Sequence, residues 1–198
     1  MSVLILASGS ETRAAMLRNA GVEIDVVPAR IDEESLRQSL LADGASGSDI
    51  ADALAENKAR KIAIKYPESL VLGCDQILEL DGAILSKPDS PDAARRQLER
   101  LRASTHRLIS AAVLYYRGQP VWRRTATARM TMRNFSDGFL TAYLAQNWDD
   151  LRHSVGCYQI EGPGIRLFSW IEGDYFAILG LPLLELLDVL TRRKDIDG

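Results

Sequence analysis

Val3-Leu4-Ile5-Leu6-Ala7-Ser8-Gly9-Ser10-Glu11-Thr12-Arg13 is the stretch that decides how this chain folds. Five apolar residues in a row suit a strand buried on both faces. Ser8-Gly9-Ser10 interrupts the run. Residues 11–20 then carry a helix pattern, with Ser10 as N-cap and Gly21 as the stop. A strand that feeds a helix through so short a loop points the first-turn N–H groups and the helix dipole at one spot. Gly9 lets the backbone approach closely there. Two hydroxyls and the Arg13 guanidinium can complete an anion site. The same residues also suit a plain capped turn with Arg13 in solvent.

Outward from this unit the pattern stays α/β. Residues 22–27 alternate as a second strand. Residues 31–47 are polar and suit a helix followed by a loop. Ser48 is placed to cap a longer helix over residues 49–65, which ends before Pro67. Residues 69–73 form an apolar strand with Cys74-Asp75 at its end. Asp81-Gly82, between residues 76–80 and 83–86, is a two-residue hairpin signal. Ser90-Pro91-Asp92 opens a helix that runs to Arg102. Residues 108–116 and 121–133 are long strands. The second puts Trp122, Ala126, Ala128, Met130 and Met132 on one face. Ser136 caps a further helix. Residues 155–160 and 165–171 suit two strands around the Glu161-Gly162-Pro163-Gly164 turn, and residues 183–193 form a closing helix. The expected architecture is one α/β domain over residues 1–198, or two intimate lobes around a mixed sheet flanked by helices.

Composition narrows the function. The 198 residues are 46% hydrophobic and 26% charged, as in globular proteins, with a formal charge of −3. That balance argues against a nucleic-acid polymer or an anionic membrane as partner. No stretch reaches the roughly 18 apolar residues of a membrane span. The first residues lack the basic start of a signal peptide. A soluble, cytoplasmic protein is expected, and with it two buried thiols at Cys74 and Cys157 rather than a disulfide.

Four constellations could carry chemistry. The first is the Ser8–Arg13 loop. The second is Asp75 with Lys87, because an acid at the end of an apolar strand is a common functional position in open α/β sheets. The hairpin register sets Gln76 opposite Lys87 and Asp75 opposite Pro88. Strict alternation therefore turns Asp75 away from Lys87, and only a bulge or strand-end twist would join them. The third is Lys58, inside the apolar arc of its helix between Leu54 and Ile62, where a lysine snorkels or meets a buried anion. Snorkelling is the simpler expectation. The fourth is Asp32-Glu33-Glu34, which suits either a helix dipole or an oxygen-loving divalent cation. His106 and His153 lack any triad or metal spacing. Taken together, hydroxyls, cations and carboxylates of this kind are the equipment for a polyphosphate.

In this order the motifs resemble the Maf family of nucleoside triphosphate pyrophosphatases. Leu4-Ile5-Leu6-Ala7-Ser8-Gly9-Ser10 with Arg13 resembles the family's phosphate loop, and Ile31-Asp32-Glu33 its acidic motif. Leu54-Ala55-Glu56-Asn57-Lys58-Ala59 resembles its lysine helix. Gly73-Cys74-Asp75-Gln76 and Ser86-Lys87-Pro88 resemble its aspartate and lysine motifs. Thr105-His106, Ile160-Glu161-Gly162 and Gly180-Leu181-Pro182-Leu183 resemble the later ones. Ala14 stands where the family has a second arginine.

The resemblance implies two lobes around a cleft, in a fold related to the inosine triphosphate pyrophosphatases. It implies release of pyrophosphate from a nucleoside triphosphate, with Mg²⁺ or Mn²⁺ as cofactor. Asp75 would be the catalytic residue. Ser8, Ser10, Arg13, Lys58 and Lys87 would bind substrate, and Glu33 and Asp75 would hold the metal. Gln76 and Glu161 resemble the branch acting on 7-methyl-GTP, and Thr12 stands where that branch has Trp, so these three would set specificity. Members are often dimeric, which admits a homodimer here. Some are linked to septum formation, so a nucleotide-binding regulator of cell division with little turnover is the alternative.

Overall fold

The computed structural model describes residues 3–197. Its hydrogen-bonded sheet has seven strands. They are β1 (Leu4–Leu6), β2 (Ile24–Val26), β3 (Val71–Leu80), β4 (Ala83–Leu85), β5 (Thr105–Tyr116), β6 (Gln119–Met132) and β7 (Phe168–Glu172). Their order is β2-β1-β3-β5-β6-β7, with β4 paired to β3. β1 is parallel to β2 and β3, whereas β3–β4 and β6–β7 are antiparallel. The sheet is therefore mixed, as the sequence predicts. The Asp81-Gly82 turn, with positive φ at both residues, sets Leu80 opposite Ala83 and Leu78 opposite Leu85, in the expected register.

The helices are α1 (Glu11–Asn19), α2 (Glu33–Ala42), α3 (Gly47–Ala63), α4 (Pro91–Leu101), α5 (Asp137–Leu151), α6 (Tyr175–Ile178) and α7 (Leu183–Arg192). Ser10, Ser90 and Ser136 cap α1, α4 and α5 as expected. The cap of α3 is Ser46 rather than Ser48. Ser46 accepts from the Asp49 amide at 3.2 Å, and the Asp49 carboxylate accepts from the Ser46 amide at 3.2 Å. This reciprocal pair satisfies two orphan donors, and a start at Ser48 would lose it.

Of the two strands expected around the turn at residues 161–164, the first is absent and the second is shortened at its start. Residues 155–157 form a 3-10 turn, with φ of +79° at Gly156 and +56° at Cys157 breaking extended geometry. Pro163 opens a second 3-10 turn through Leu167, so the last strand starts only at Phe168.

The described residues fall into two compact units. The first comprises residues 3–76, 109–126 and 174–197, and the second comprises 77–108 and 127–173. In the first, Leu4 and Leu6 of β1 and Leu72 and Cys74 of β3 share one core with Ala14 and Leu17 of α1 and with Leu186 and Leu190 of α7. Alternation turns Gly73 and Asp75 to the opposite face. There Gly73 meets α3. A Cβ on residue 73 would lie 2.1 Å from the Ala55 carbonyl oxygen and 2.6 Å from the Ala59 nitrogen, so only glycine permits this approach. In the second unit, α4 and α5 are joined by Arg95–Thr141 and Arg102–Asp137 hydrogen bonds of 2.8 and 2.7 Å. Here His106, Tyr158 and Phe168 pack ring against ring.

Candidate active site

The close approach at Gly73 brings α3 and β3 near enough for their charged residues to meet. α3 buries the stripe Ala51, Leu54, Ala55, Lys58, Ala59 and Ile62, so Lys58 lies on its inner face. Its Nζ donates to Asp75 Oδ1 at 2.7 Å and lies 2.9 Å from Glu33 Oε1. Lys58 is 8% exposed and Asp75 6%. The lysine therefore does not snorkel: it meets a buried anion. Burial pushes the Asp75 carboxyl above its usual range, while the Lys58 ammonium and, less strongly, the Arg13 guanidinium act against that rise.

Strict alternation in the hairpin turns Asp75 away from Lys87, and the cation that Asp75 meets within the first unit is Lys58. β4 ends at Leu85, before Lys87, so the ladder does not extend to that residue. Lys87 is exposed and belongs to the second unit. Glu161 also belongs to the second unit, exposed in the turn before Pro163.

The acidic run divides its work. Asp32 caps α2 and accepts from the Ser35 amide at 3.0 Å, which holds its carboxyl below the usual range. Glu34 pairs with Gln38 and Arg37 on its own helix. Only Glu33 reaches across to Lys58.

Beside this group is the Ser8–Arg13 loop. Arg13 is 9% exposed, not a solvent arginine. Its Nε donates to the Gly180 carbonyl at 2.8 Å. Its Nη1 donates to Ser8 Oγ at 3.1 Å and to the Cys74 carbonyl at 3.4 Å. Among the described residues Nη2 makes no hydrogen bond. Ser10 Oγ accepts from the Arg13 amide at 3.3 Å and caps α1. The Glu11 and Thr12 amides, in the first turn of α1, have no partner within the helix. Thr12 is half-buried there. Gln76 Nε2 donates to Ile178 O at 2.9 Å, Ser110 Oγ at 3.0 Å and Ala177 O at 3.3 Å.

The first unit thus unites Ser8, Ser10, Arg13, Glu33, Lys58 and Asp75. An anion would find a guanidinium, an ammonium and helix-start amides, next to a carboxylate that can take a proton. Among the described residues no three His, Cys, Asp or Glu side chains gather as a metal cage. The two carboxylates converging on one ammonium do fit Mg²⁺ or Mn²⁺, which commonly take one or two carboxylates and complete their shell with water and substrate phosphates.

A family model described as Maf-like protein matches residues 3–193. This chain belongs to the Maf family. Among its Maf relatives, a nucleoside triphosphate pyrophosphatase of Ruegeria pomeroyi is 54% identical over 98% of both chains. A 7-methyl-GTP pyrophosphatase of Brucella abortus is 48% identical, again over 98% of both. Among solved structures, a HAM1 protein from Coxiella burnetii aligns with a TM-score of 0.47 and 15% identity, over 68% of this chain and 75% of that one. Among the described residues of this Maf chain no helix is long and apolar enough to cross a membrane.

Sequence reasoning placed Lys58 and Asp75 in the site but not with each other. It passed over Ser110, whose one signal is a lone hydroxyl in an otherwise apolar stretch of β5.

Proposed function

We propose that this Maf chain hydrolyses nucleoside triphosphates to the monophosphate and pyrophosphate, at the site built around Asp75. The observation that carries this reading is the buried Asp75 carboxylate held by Lys58 beside the Arg13 loop. Close relatives named for the same activity support it.

Ser8, Ser10, Arg13 and the first-turn amides of α1 bind phosphate oxygens. Lys58 and Lys87 add positive charge against the triphosphate. A water attacks the α-phosphorus in line with the bridging oxygen. Its proton passes to Asp75, the bond from the α-phosphorus to that oxygen breaks, and pyrophosphate leaves. Lys58 keeps the Asp75 carboxylate ionised and oriented towards the water until that transfer. Glu33 and Asp75 would hold a divalent cation, Mg²⁺ or Mn²⁺, which supplies charge neutralisation on the phosphate oxygens and a more acidic bound water.

The base is read chiefly by Glu161. A carboxylate only accepts, so it suits an edge with two donors such as N1–H and the N2 amine of guanine. The relative named for 7-methyl-GTP supports a preference for guanine-type or modified purine triphosphates over UTP and dTTP. Gln76 and Thr12 complete the specificity set. A cytoplasmic location, where the nucleotide pool lies, and a homodimer go with this reading.

The test is pyrophosphate release across canonical and modified nucleoside triphosphates, each with Mg²⁺ and with Mn²⁺. Turnover with guanine-type substrates in front is expected. No release from any triphosphate with either metal would end the reading.

A further inference from the structure

Arg13 is held from behind by the Gly180 carbonyl, and that carbonyl belongs to a segment which is itself gripped. Ser110 is fully buried on β5. Its hydroxyl donates to Ala177 O at 2.7 Å and accepts from Gln76 Nε2 at 3.0 Å. The same Gln76 nitrogen donates to Ile178 O at 2.9 Å. These carbonyls lie at the C-terminal end of α6, where Ala177 O also accepts from the Gly180 amide at 3.0 Å, so the gripped segment includes Gly180 itself. Two residues on, Gly180 adopts φ +105°, and a Cβ there would come within 3.1 Å of Arg13 Nε. Reversing the Gln76 amide would set its oxygen against two carbonyl oxygens, so the network admits one orientation. The guanidinium plane of Arg13 is thus referred back to β5 through three hydrogen-bonded links.

We propose, on the reading of Arg13 as a triphosphate-binding cation, that Ser110 is a positioning residue for Arg13, acting through Gln76 and the 177–180 segment. The Ser110 hydroxyl does not touch substrate. It fixes Ala177 O and the Gln76 amide, these hold the Gly180 carbonyl in place, and that carbonyl aims Nη2 at a phosphate oxygen. The ligand feature that Ser110 governs is therefore the polyphosphate and not the base.

The experiment compares the full-length wild type with Ser110→Ala and Ser110→Thr. It measures inorganic tripolyphosphate affinity by calorimetry at 25 °C, kcat and KM for GTP and UTP, and Tm. Loss of the hydroxyl in Ser110→Ala should weaken tripolyphosphate by about fivefold, the worth of one neutral hydrogen bond. KM for GTP and UTP should rise by that same factor with kcat little changed, and Ser110→Thr should restore all three. Gln76→Met, which removes both amide hydrogens at similar length, should weaken tripolyphosphate, a ligand with no base, by at least that factor, and this measurement serves if Ser110→Ala does not fold. A lowered Tm with unchanged tripolyphosphate affinity would make Ser110 merely structural and overturn the proposal. So would a KM change that differs between GTP and UTP, a Thr variant as weak as Ala, or a wild type that does not bind tripolyphosphate. A wild type that binds tripolyphosphate in a Ser110-dependent way but hydrolyses no nucleotide would overturn the activity reading and leave the positioning role standing.

Discussion

The two units bury polar groups by opposite means. The first buries charge: Lys58, Asp75 and Arg13 are each under 10% exposed, and each meets an oppositely charged group or a row of carbonyl and hydroxyl oxygens. The second buries His106 as deeply, at 1% exposed, and gives it no charge. Its Nε2 lies 2.7 Å from the Tyr158 hydroxyl, and among the described residues its Nδ1 has no hydrogen-bond partner. Burial pushes its pKa down to about 4, so the imidazole is neutral at pH 7. A buried ion pair carries a desolvation cost that well-packed apolar residues would avoid, so stability alone does not account for it. A neutral imidazole among aromatic rings, by contrast, is accounted for by packing. The charged cluster is where chemistry is to be sought, and the histidine is a piece of the core.

The sharpest way to break this contrast is Asp75→Asn. It keeps shape and removes the charge, so turnover should fall about 10³-fold, equivalent to roughly 4 kcal/mol, with the fold intact by circular dichroism. A variant retaining more than a tenth of the wild-type rate would remove Asp75 from the centre.

Next comes Lys58→Ala, which leaves the Asp75 carboxylate buried without its ammonium. Urea unfolding at pH 7 should show a loss of about 3 kcal/mol, and triphosphate binding should weaken far more than nucleoside binding. Lys87→Ala, at an exposed residue, should weaken triphosphate binding with under about 1 kcal/mol of stability lost. Equal stability losses in the two variants would erase the distinction between buried and exposed cations.

His106 sharpens the contrast from the other side. Its folded pKa is depressed, so its contribution is complete above the unfolded value near 6.5. Below that, the unfolded chain binds a proton that the folded chain refuses. Stability then falls as pH drops towards about 4, by a total of about 3 kcal/mol. Unfolding curves between pH 7 and 4 should show that slope in the wild type and a flatter one in His106→Phe, itself less stable at pH 7 for want of the Tyr158 hydrogen bond. Parallel curves would mean the imidazole is not kept neutral.

The smallest effect is expected at Glu161→Gln. One base-edge hydrogen bond is at stake, so the ratio of kcat/KM for GTP over UTP should fall by about fivefold. An unchanged ratio would exclude Glu161 as a base reader.

What was legible in the sequence follows distance along the chain. The Asp81-Gly82 register and the caps at Ser10, Ser90 and Ser136 are local, and they are found where the residues predict them. The inward placement of Lys58 was visible from its helical arc. Its partner, 17 residues away on another element, was not, because pairing across elements depends on how α3 meets β3. The stretch 155–160 reads as a strand because its apolar residues suit one. The left-handed backbone at Cys157 has no local signature in a residue that carries a side chain. Ser110 was hidden for a related reason: its acceptor lies 67 residues on.

Gly73 has no side chain to offer the reaction, yet it sets the gap across which Lys58 and Asp75 meet. With 2.1 Å between its missing Cβ and the Ala55 oxygen, even alanine would lever α3 off β3 and pull ammonium from carboxylate. In an alanine scan scored by activity, position 73 would therefore cluster with 58 and 75, among the charged residues, although the change there adds one methyl group and removes nothing. A reader of that scan who had only the sequence would look for a catalytic function in a residue whose contribution is to be thin.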